Sequence, residues 1–311
     1  MTIPLIKLNK HIKNIDLTNY SIKNVEDERS ATYNLMGQML FWMKENGYYG
    51  LMSQPSSSMI INKVVYFASK ELNLRIGSGW YKYGPCFEKG RQGEESLSIN
   101  IARGLEPGDK AIDQVQKICE EHVPLFSESL EKDGDYPYQY LKYVYEKKNP
   151  YQELKEFYIK KHELAYILKE LSYNYYTIKD SYISKFDRAH FEFELAITDR
   201  NYYNKVGISR SQIREYLKYS IAIKELLTNL LSERNKTSEN MMKQISYDFI
   251  NKGLMLFAHK NYAYTFDSFT HEYTKNIQKS HKRLASISEE EIEKALKYYY
   301  GYYRLTPQLA R

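Results

Sequence analysis

The chain has 311 residues, a length that suggests about two domains. Of these residues 42% are hydrophobic and 27% charged, a balance typical of a folded globular protein. Glycine and proline are scarce, with 14 and 8 copies, which disfavours long disordered linkers and turn-rich β-sandwiches. Two cysteines are too few for a disulfide framework, and no run of about 18 apolar residues predicts a membrane span. Lysines interrupt the N-terminus before an apolar stretch builds up, which argues against a secretory signal. We therefore expect a cytoplasmic protein without membrane association.

The net charge of +6 is unevenly distributed along the chain. Residues 201–311 hold 18 Lys and Arg against 11 Asp and Glu, a net charge of +7, so residues 1–200 carry −1. A basic C-terminal part is what binding to a polyanion requires, and a solvated helical surface rich in lysine has the same composition. Charge alone leaves both interpretations open.

In chain order, the first elements predict a small N-terminal domain. Residues 1–30 are polar with little periodicity and predict an N-terminal arm that is extended or made of short elements. Apolar residues recur at helical spacing from Ala31, Gly47 is placed to end that helix, and a second helix is predicted over 58–73. A segment with strand-and-turn character follows, and then come two shorter helices, near 93–103 and 109–122. Pro124 and the segment "KDGDYPYQY" predict a domain boundary at 123–138.

The remainder of the chain predicts one helix after another. The predicted ranges are 138–147, 150–180, 185–196, 209–233, 237–259, 263–284 and 289–303. The fold class is therefore mainly α: an arm at 1–30, a small helical domain at 31–125, and a larger basic helical domain at 138–311.

Two segments of the small domain resemble the Panacea (SocA-like) antitoxin domain. "INKVVYFASKELNL" and "GWYKYGPCFE" supply the residues that carry the resemblance: Lys63, Tyr66, Ala68, Trp80, Tyr83, Gly84 and Pro85. The resemblance covers about residues 31–125. It implies a compact, winged-helix-like helical domain that acts as an antitoxin, adaptor or regulator, a binding module without chemistry of its own.

The Tyr-Gly-Pro stretch predicts a sharp corner, because glycine allows a positive φ and proline fixes its own φ. In an extended backbone the Trp80 side chain would lie opposite Tyr81 and Tyr83. Two interpretations stay open: a turn that holds the first domain together, and a surface that contacts a protein partner such as a toxin. The candidate partner-binding residues are Trp80, Tyr81, Tyr83, Gly84 and Pro85.

Residues 198–218, "TDRNYYNKVGISRSQIREYLK", meet several requirements of a helix-turn-helix. Gly207 can adopt a positive φ between the helices, and Ser209 can cap the second helix. Ile213, with Tyr216 or Leu217, would pack that helix on the core. The segment resembles the "G-I-S-x-x-x-I" type found in many repressors and ParB-like partition proteins. The alternative is a capped amphipathic helix with a solvated basic face.

The exposed face of this second helix is a candidate surface for binding double-stranded DNA. Arginine can hydrogen-bond a guanine edge and glutamine an adenine edge, while serine and lysine contact phosphates. A second run, "KNIQKSHKR", adds cations at helical spacing. The candidate DNA-binding residues are Ser209, Arg210, Ser211, Gln212, Arg214, Lys218, Lys275, Lys279, Lys282 and Arg283.

The sequence lacks the motifs of a phosphate-binding loop or a nucleophile elbow, and we assign no catalytic residue, metal ligand or cofactor. The leading hypothesis is a non-enzymatic DNA-binding regulator or antitoxin-like protein, with a homodimer possible. A protein–protein adaptor that does not bind nucleic acid is the first alternative. The second is a metal-dependent nuclease at "RAHFEFE", where His190 and Glu194 would share a helix face and Glu192 would point away.

Overall fold

The computed structural model of the protein describes residues 17, 20–23, 25–81, 83–87, 112–149, 152–199, 210–233 and 235–250. These residues are mainly helical, which confirms the predicted fold class. They divide into two compact units, a first unit that extends to Val144 and a second unit that begins at Tyr145. The change of unit falls within a short π-helix, Val144–Lys148.

The described part of the first unit contains helices and a two-stranded hairpin. The elements are α1 (Val25–Glu45), a 3₁₀-helix (Tyr49–Ser53), α2 (Ser57–Glu71), β1 (Ser78–Tyr81), β2 (Gly84–Phe87), α3 (Ile112–Asp133) and α4 (Tyr138–Tyr143). Helix α1 packs on α2 and α3, and α2 packs on α3 and on the second strand.

Helices α1 and α2 form because their apolar residues recur every three or four positions and are buried together. Leu35, Met36, Leu40 and Met43 of α1 are all buried, as their spacing predicts. Gly47 follows the helix with a φ of +81°, which confirms its predicted role in ending it. The matching face of α2 consists of Ile61, Val64, Val65 and Ala68, also buried.

Helix α3 extends through Pro124, so the prediction that a helix ends before this proline is wrong. A proline inside a helix removes one backbone hydrogen bond and costs about 3 kcal/mol. Cys119, Val123 and Phe126 are fully buried on one face of this helix, on both sides of the proline. Their burial, worth about 1.5–3 kcal/mol for each large apolar side chain, offsets the lost bond and keeps the helix continuous.

Strands β1 and β2 form an antiparallel hairpin in which Trp80 pairs with Pro85 and Tyr81 with Gly84. Gly84 has a φ of +94°, which confirms the predicted corner. A Cβ at this position would lie 3.5 Å from Cγ1 of Val144 and 3.7 Å from Nζ of Lys63, both ordinary contacts. Glycine is therefore required here by its backbone conformation rather than by lack of space.

Gly84→Ala is expected to lower the free energy of unfolding of the first unit by about 1–2 kcal/mol, because an L residue is strained at this φ. Urea denaturation followed by circular dichroism measures the change. Gly50→Ala is the matched control, since Gly50 has no positive φ and nothing lies within 4 Å of a Cβ built there. Equal effects of the two substitutions would contradict the assignment of strain to Gly84.

In the described residues of the second unit, four longer helices follow a 3₁₀-helix (Gln152–Leu154). They are α5 (Lys155–Tyr173), α6 (Asp180–Thr198), α7 (Arg210–Glu233) and α8 (Lys236–Asp248). Helix α5 packs on α6 and α8, and α7 packs on the same two helices. The predicted helix at 209–233 is confirmed almost to the residue, and its Ile213 is buried as predicted.

The predicted helix at 150–180 is too long, because the chain turns between α5 and α6. Asn174 ends α5, and the Thr177 N–H donates to the Asn174 carbonyl at 2.9 Å. Tyr175 is buried within this turn, and its hydroxyl donates to the carbonyl of Leu230. The turn therefore depends on a contact 55 residues away, which local spacing does not report.

The arm predicted at 1–30 is too long, because α1 begins at Val25. Residues 1–16 of that arm lie outside the described residues, as do the helices predicted at 93–103, 263–284 and 289–303. The winged-helix outline of the small domain stays a prediction. Among the helices that the structure describes, none combines the length and the apolar character needed to cross a membrane.

Candidate functional site

The first part of α7 carries a row of exposed cations that we call the cationic stripe: Arg210, Arg214 and Lys218. Residues four apart on a helix lie about 40° apart around its axis, so these three share one side. The opposite side is buried, at Ser220, Ile223, Leu227 and Leu230. The stripe therefore faces away from the interior of the second unit.

The character of this face changes further along α7. Ile221, at 46% exposure, and the exposed Glu225 continue the same side of the helix. The positive part of the face is therefore confined to the first three turns. Lys224 instead turns toward α6, where its Nζ lies 3.2 Å from Oδ1 of Asp187.

The other predicted DNA-binding residues are not placed by the described structure. Ser209 and the turn at 200–209, with Gly207, lie outside the described residues. Ser211 and Gln212 belong to α7, but their side chains lie outside the described part of the chain. The four cations of the second run also lie outside the described residues: Lys275, Lys279, Lys282 and Arg283. The helix-turn-helix consequently stays a prediction, for which α7 supplies the second helix and α6 the preceding one.

The hairpin places its candidate partner-binding residues mainly in the interior of the first unit. Trp80 is 2% exposed, and Gly84 and Pro85 are buried. Tyr83 is half-buried, with its ring 6.3 Å from that of Tyr136, and the side chain of Tyr81 lies outside the described part. Burial favours the interpretation of this hairpin as an element that holds the first unit together.

Two of the residues that carry the resemblance to the Panacea domain, Tyr66 and Trp80, contact each other. The indole N–H donates to the hydroxyl of Tyr66 at 3.1 Å, and the two rings pack edge to face with centroids 6.2 Å apart. Lys63 is 1% exposed beneath the hairpin. Sequence reasoning missed Glu28, a buried carboxylate that accepts from the N–H of Gly77 at 2.6 Å. These partners are 49 residues apart, so no local pattern indicates them.

His190 is fully buried between α6 and α7, in what we call the His190 cluster: His190, Glu194, Ser220 and Phe249. Its Nε2 lies 2.9 Å from Oγ of Ser220 and 3.1 Å from the Ser220 carbonyl oxygen. Its Nδ1 lies 3.4 Å from Oε1 of Glu194, and the ring stacks on Phe249. The shared helix face predicted for His190 and Glu194 is confirmed.

Glu192 points away from His190, as predicted, toward α5. It accepts hydrogen bonds from Lys160 and Arg188, which lower the pKa of its carboxyl. Among the residues that the structure describes, no group of three or more His, Cys, Asp or Glu side chains could hold a metal ion. The nuclease alternative finds no support in this part of the chain.

The hydroxyl, imidazole and carboxylate of the His190 cluster follow the order of a catalytic triad. Their surroundings do not suit catalysis, because Ser220 and His190 are fully buried and a substrate must reach the hydroxyl. Ser220 also lies inside α7, where the backbone N–H groups are used by the helix and cannot stabilise an oxyanion. The cluster therefore joins two helices, a role that sequence reasoning missed because Ser220 lies 30 residues from His190.

Cys119 is a buried thiol on α3. Burial raises its pKa, and the charge of the adjacent Glu120 raises it further. Because the thiolate is the reactive form, this residue is a packing element of the core rather than a nucleophile.

Comparison with profiles of protein families, with curated proteins and with solved structures found no match for this chain. The resemblances to the Panacea domain and to helix-turn-helix segments therefore rest on short motifs.

Proposed function

We propose that this protein binds double-stranded DNA through the cationic stripe of α7 and acts as a DNA-binding regulator of the antitoxin-like kind. The observation that carries the proposal is the position of Arg210, Arg214 and Lys218 on one exposed side of a helix whose other side is buried. Cations arranged in this way can contact one nucleic-acid strand together without disturbing the core. The net charge of +7 over residues 201–311 supports the same partner.

The roles within this surface follow from side-chain chemistry. Arg210 and Arg214, with Gln212, are proposed to contact base edges in the major groove, because a guanidinium or an amide can form two hydrogen bonds to one base. Lys218 is proposed to contact phosphates, which position a protein without specifying sequence. Further phosphate contacts are proposed for Lys275, Lys279, Lys282 and Arg283.

Combined replacement of Arg210 and Arg214 by alanine is expected to weaken binding of a labelled 30-base-pair duplex by at least about tenfold. Each good base contact is worth roughly 1–3 kcal/mol, so two lost contacts exceed that threshold. Lys218→Ala should instead reduce the slope of log affinity against log salt by about 1. Fluorescence anisotropy at 50 and 200 mM salt measures both effects.

The matched control is Lys179→Ala combined with Lys236→Ala, which removes the same charge from exposed positions outside the stripe. We expect this variant to bind the duplex within about twofold of the unmodified protein, because nearby phosphate contacts outweigh distant charge at 0.1 M salt. Equal losses in both variants would show that net charge, rather than the stripe, governs binding.

Absence of duplex binding at 50 mM salt would overturn the proposal and favour the adaptor that binds protein alone. The proposal includes a cytoplasmic location, because a DNA-binding regulator acts in the compartment that contains its DNA. A homodimer belongs to it as well, since two copies of α7 could contact two half-sites.

A further inference from the structure

A surface cavity of about 150 Å³ lies between the last turns of α1 and the first turn of α3. All of its lining residues belong to the first unit, whereas the cationic stripe belongs to the second unit. Phe41, at 47% exposure, and the half-buried Trp42 contribute aromatic rings to its lining, with Val115 at the α3 side. We call it the α1–α3 cavity.

A buried amide oxygen without a hydrogen-bond partner among the described residues belongs to the lining of this cavity. Gln38 is only 5% exposed, and among the described residues its Oε1 has no hydrogen-bond partner. A buried carbonyl that accepts no hydrogen bond is costly, so a donor supplied by a ligand would be stabilised there. The oxygen and nitrogen of a glutamine amide exchange places by a half-turn, and the amide of Gln38 can therefore adapt its orientation to a ligand that donates a hydrogen bond.

The other polar side chains of the lining also offer acceptors. The Asn46 Nδ2 donates to the carbonyl of Trp42 at 2.9 Å, and the Gln116 Nε2 donates to Oε1 of Glu120 at 2.7 Å. Each of these bonds uses an N–H group of the amide, so the amide carbonyl oxygen can act as an acceptor for a ligand. Glu45 adds a carboxylate, the one charged side chain among the described residues of the lining.

The aromatic part of the lining suits a flat cation. Trp42 stacks on Tyr48 with ring centroids 5.8 Å apart and an angle of 5° between the planes, which holds the indole in place. The face of an aromatic ring attracts a cation, and a guanidinium also stacks on it while donating up to five N–H bonds in its own plane. A compact ammonium matches the charge but not the flat shape.

We propose that the α1–α3 cavity binds a guanidinium group, presented as an arginine side chain by a partner protein. The guanidinium stacks against Trp42, faces the carboxylate of Glu45 and donates to the Gln38 amide. This inference does not depend on DNA binding, because it concerns residues of the first unit only. It gives the chain a second binding surface, selective for a basic segment.

N-acetyl-arginine methylamide, titrated into the ¹⁵N-labelled full chain, tests the proposal. We expect a saturable shift of the Trp42 indole N–H signal, with at least fivefold weaker binding of the lysine analogue. The neutral citrulline analogue, which keeps the shape without the charge, should bind at least tenfold more weakly. Trp80→Phe identifies the Trp42 signal, because the chain has only two tryptophans.

Glu45→Gln should weaken arginine binding at least threefold, whereas Glu71→Gln, an exposed carboxylate on α2, should leave it unchanged. Gln38→Leu should abolish binding and at the same time raise the melting temperature, because it removes a buried acceptor without a partner. Equal shifts with the arginine and citrulline analogues, unchanged affinity in Glu45→Gln, or no shift at millimolar arginine analogue would each overturn the proposal. The stripe variants serve as an independent control and should bind the arginine analogue normally.

Discussion

Replacing Trp80 with alanine is expected to lower the free energy of unfolding of the first unit by about 3–5 kcal/mol, the range for a large aromatic side chain deleted from a core. The indole is 2% exposed and packs edge to face on Tyr66. Its removal leaves a cavity beneath the hairpin and takes away the donor bound to the Tyr66 hydroxyl. Urea denaturation followed by far-ultraviolet circular dichroism measures the loss.

Tyr66→Phe separates the two contributions, because it removes the hydroxyl and keeps the ring. We expect a cost of about 0.5–1.5 kcal/mol, the net value of one hydrogen bond. Trp42→Ala is the second comparison, since Trp42 is half-buried and should cost less than Trp80. A Trp80→Ala protein as stable as the unmodified chain would show that the hairpin is not part of the core.

Replacing His190 with alanine should destabilise the second unit by roughly 3 kcal/mol, because a cavity forms and the groups around the ring lose their partner. The ring of this α6 residue lies within hydrogen-bond distance of Ser220 on α7 and stacks on Phe249, with its Nδ1 3.4 Å from Oε1 of Glu194. Hydrogen exchange measured by mass spectrometry should show faster exchange in peptides of α6 and α7. Peptides of the first unit provide the internal reference.

Two further substitutions distinguish packing from hydrogen bonding in the His190 cluster. Ser220→Ala removes the hydroxyl alone and should cost about 1 kcal/mol. His190→Gln keeps a polar group that can reach Ser220 and should recover part of the loss. If Ser220→Ala matches His190→Ala in effect, the hydroxyl rather than the ring is the main connection between the helices.

The sequence predicts those parts of the fold that depend on neighbours along the chain. Leu35, Met36, Leu40 and Met43 indicate the buried face of α1 by their spacing alone, and Gly47 indicates its end. The same holds for the start of α7, where a basic face and a buried Ile213 were both predicted. Periodicity is sufficient there because a helix repeats its environment every three or four residues.

The predictions fail where distant contacts decide the structure. Pro124 stays inside α3 because buried residues on both sides of it offset a lost hydrogen bond, and a local rule for proline cannot register that burial. The turn after α5 depends on Tyr175 and its distant acceptor. The α1–α3 cavity joins residues of α1 to residues of α3 that lie some 70 positions later in the chain, and no motif marks the pair.

Val144 lies next to Gly84, and this proximity determines how the protein can be divided for study. Val144 is fully buried at the end of the first unit, and α4 before it contributes the buried Tyr140 and Leu141. A fragment that ends anywhere in 123–138 would lose these buried residues of α4 together with Val144. The side of the hairpin next to Val144 would then be exposed to water. Fragments intended to contain the first unit should therefore retain the chain at least through Val144.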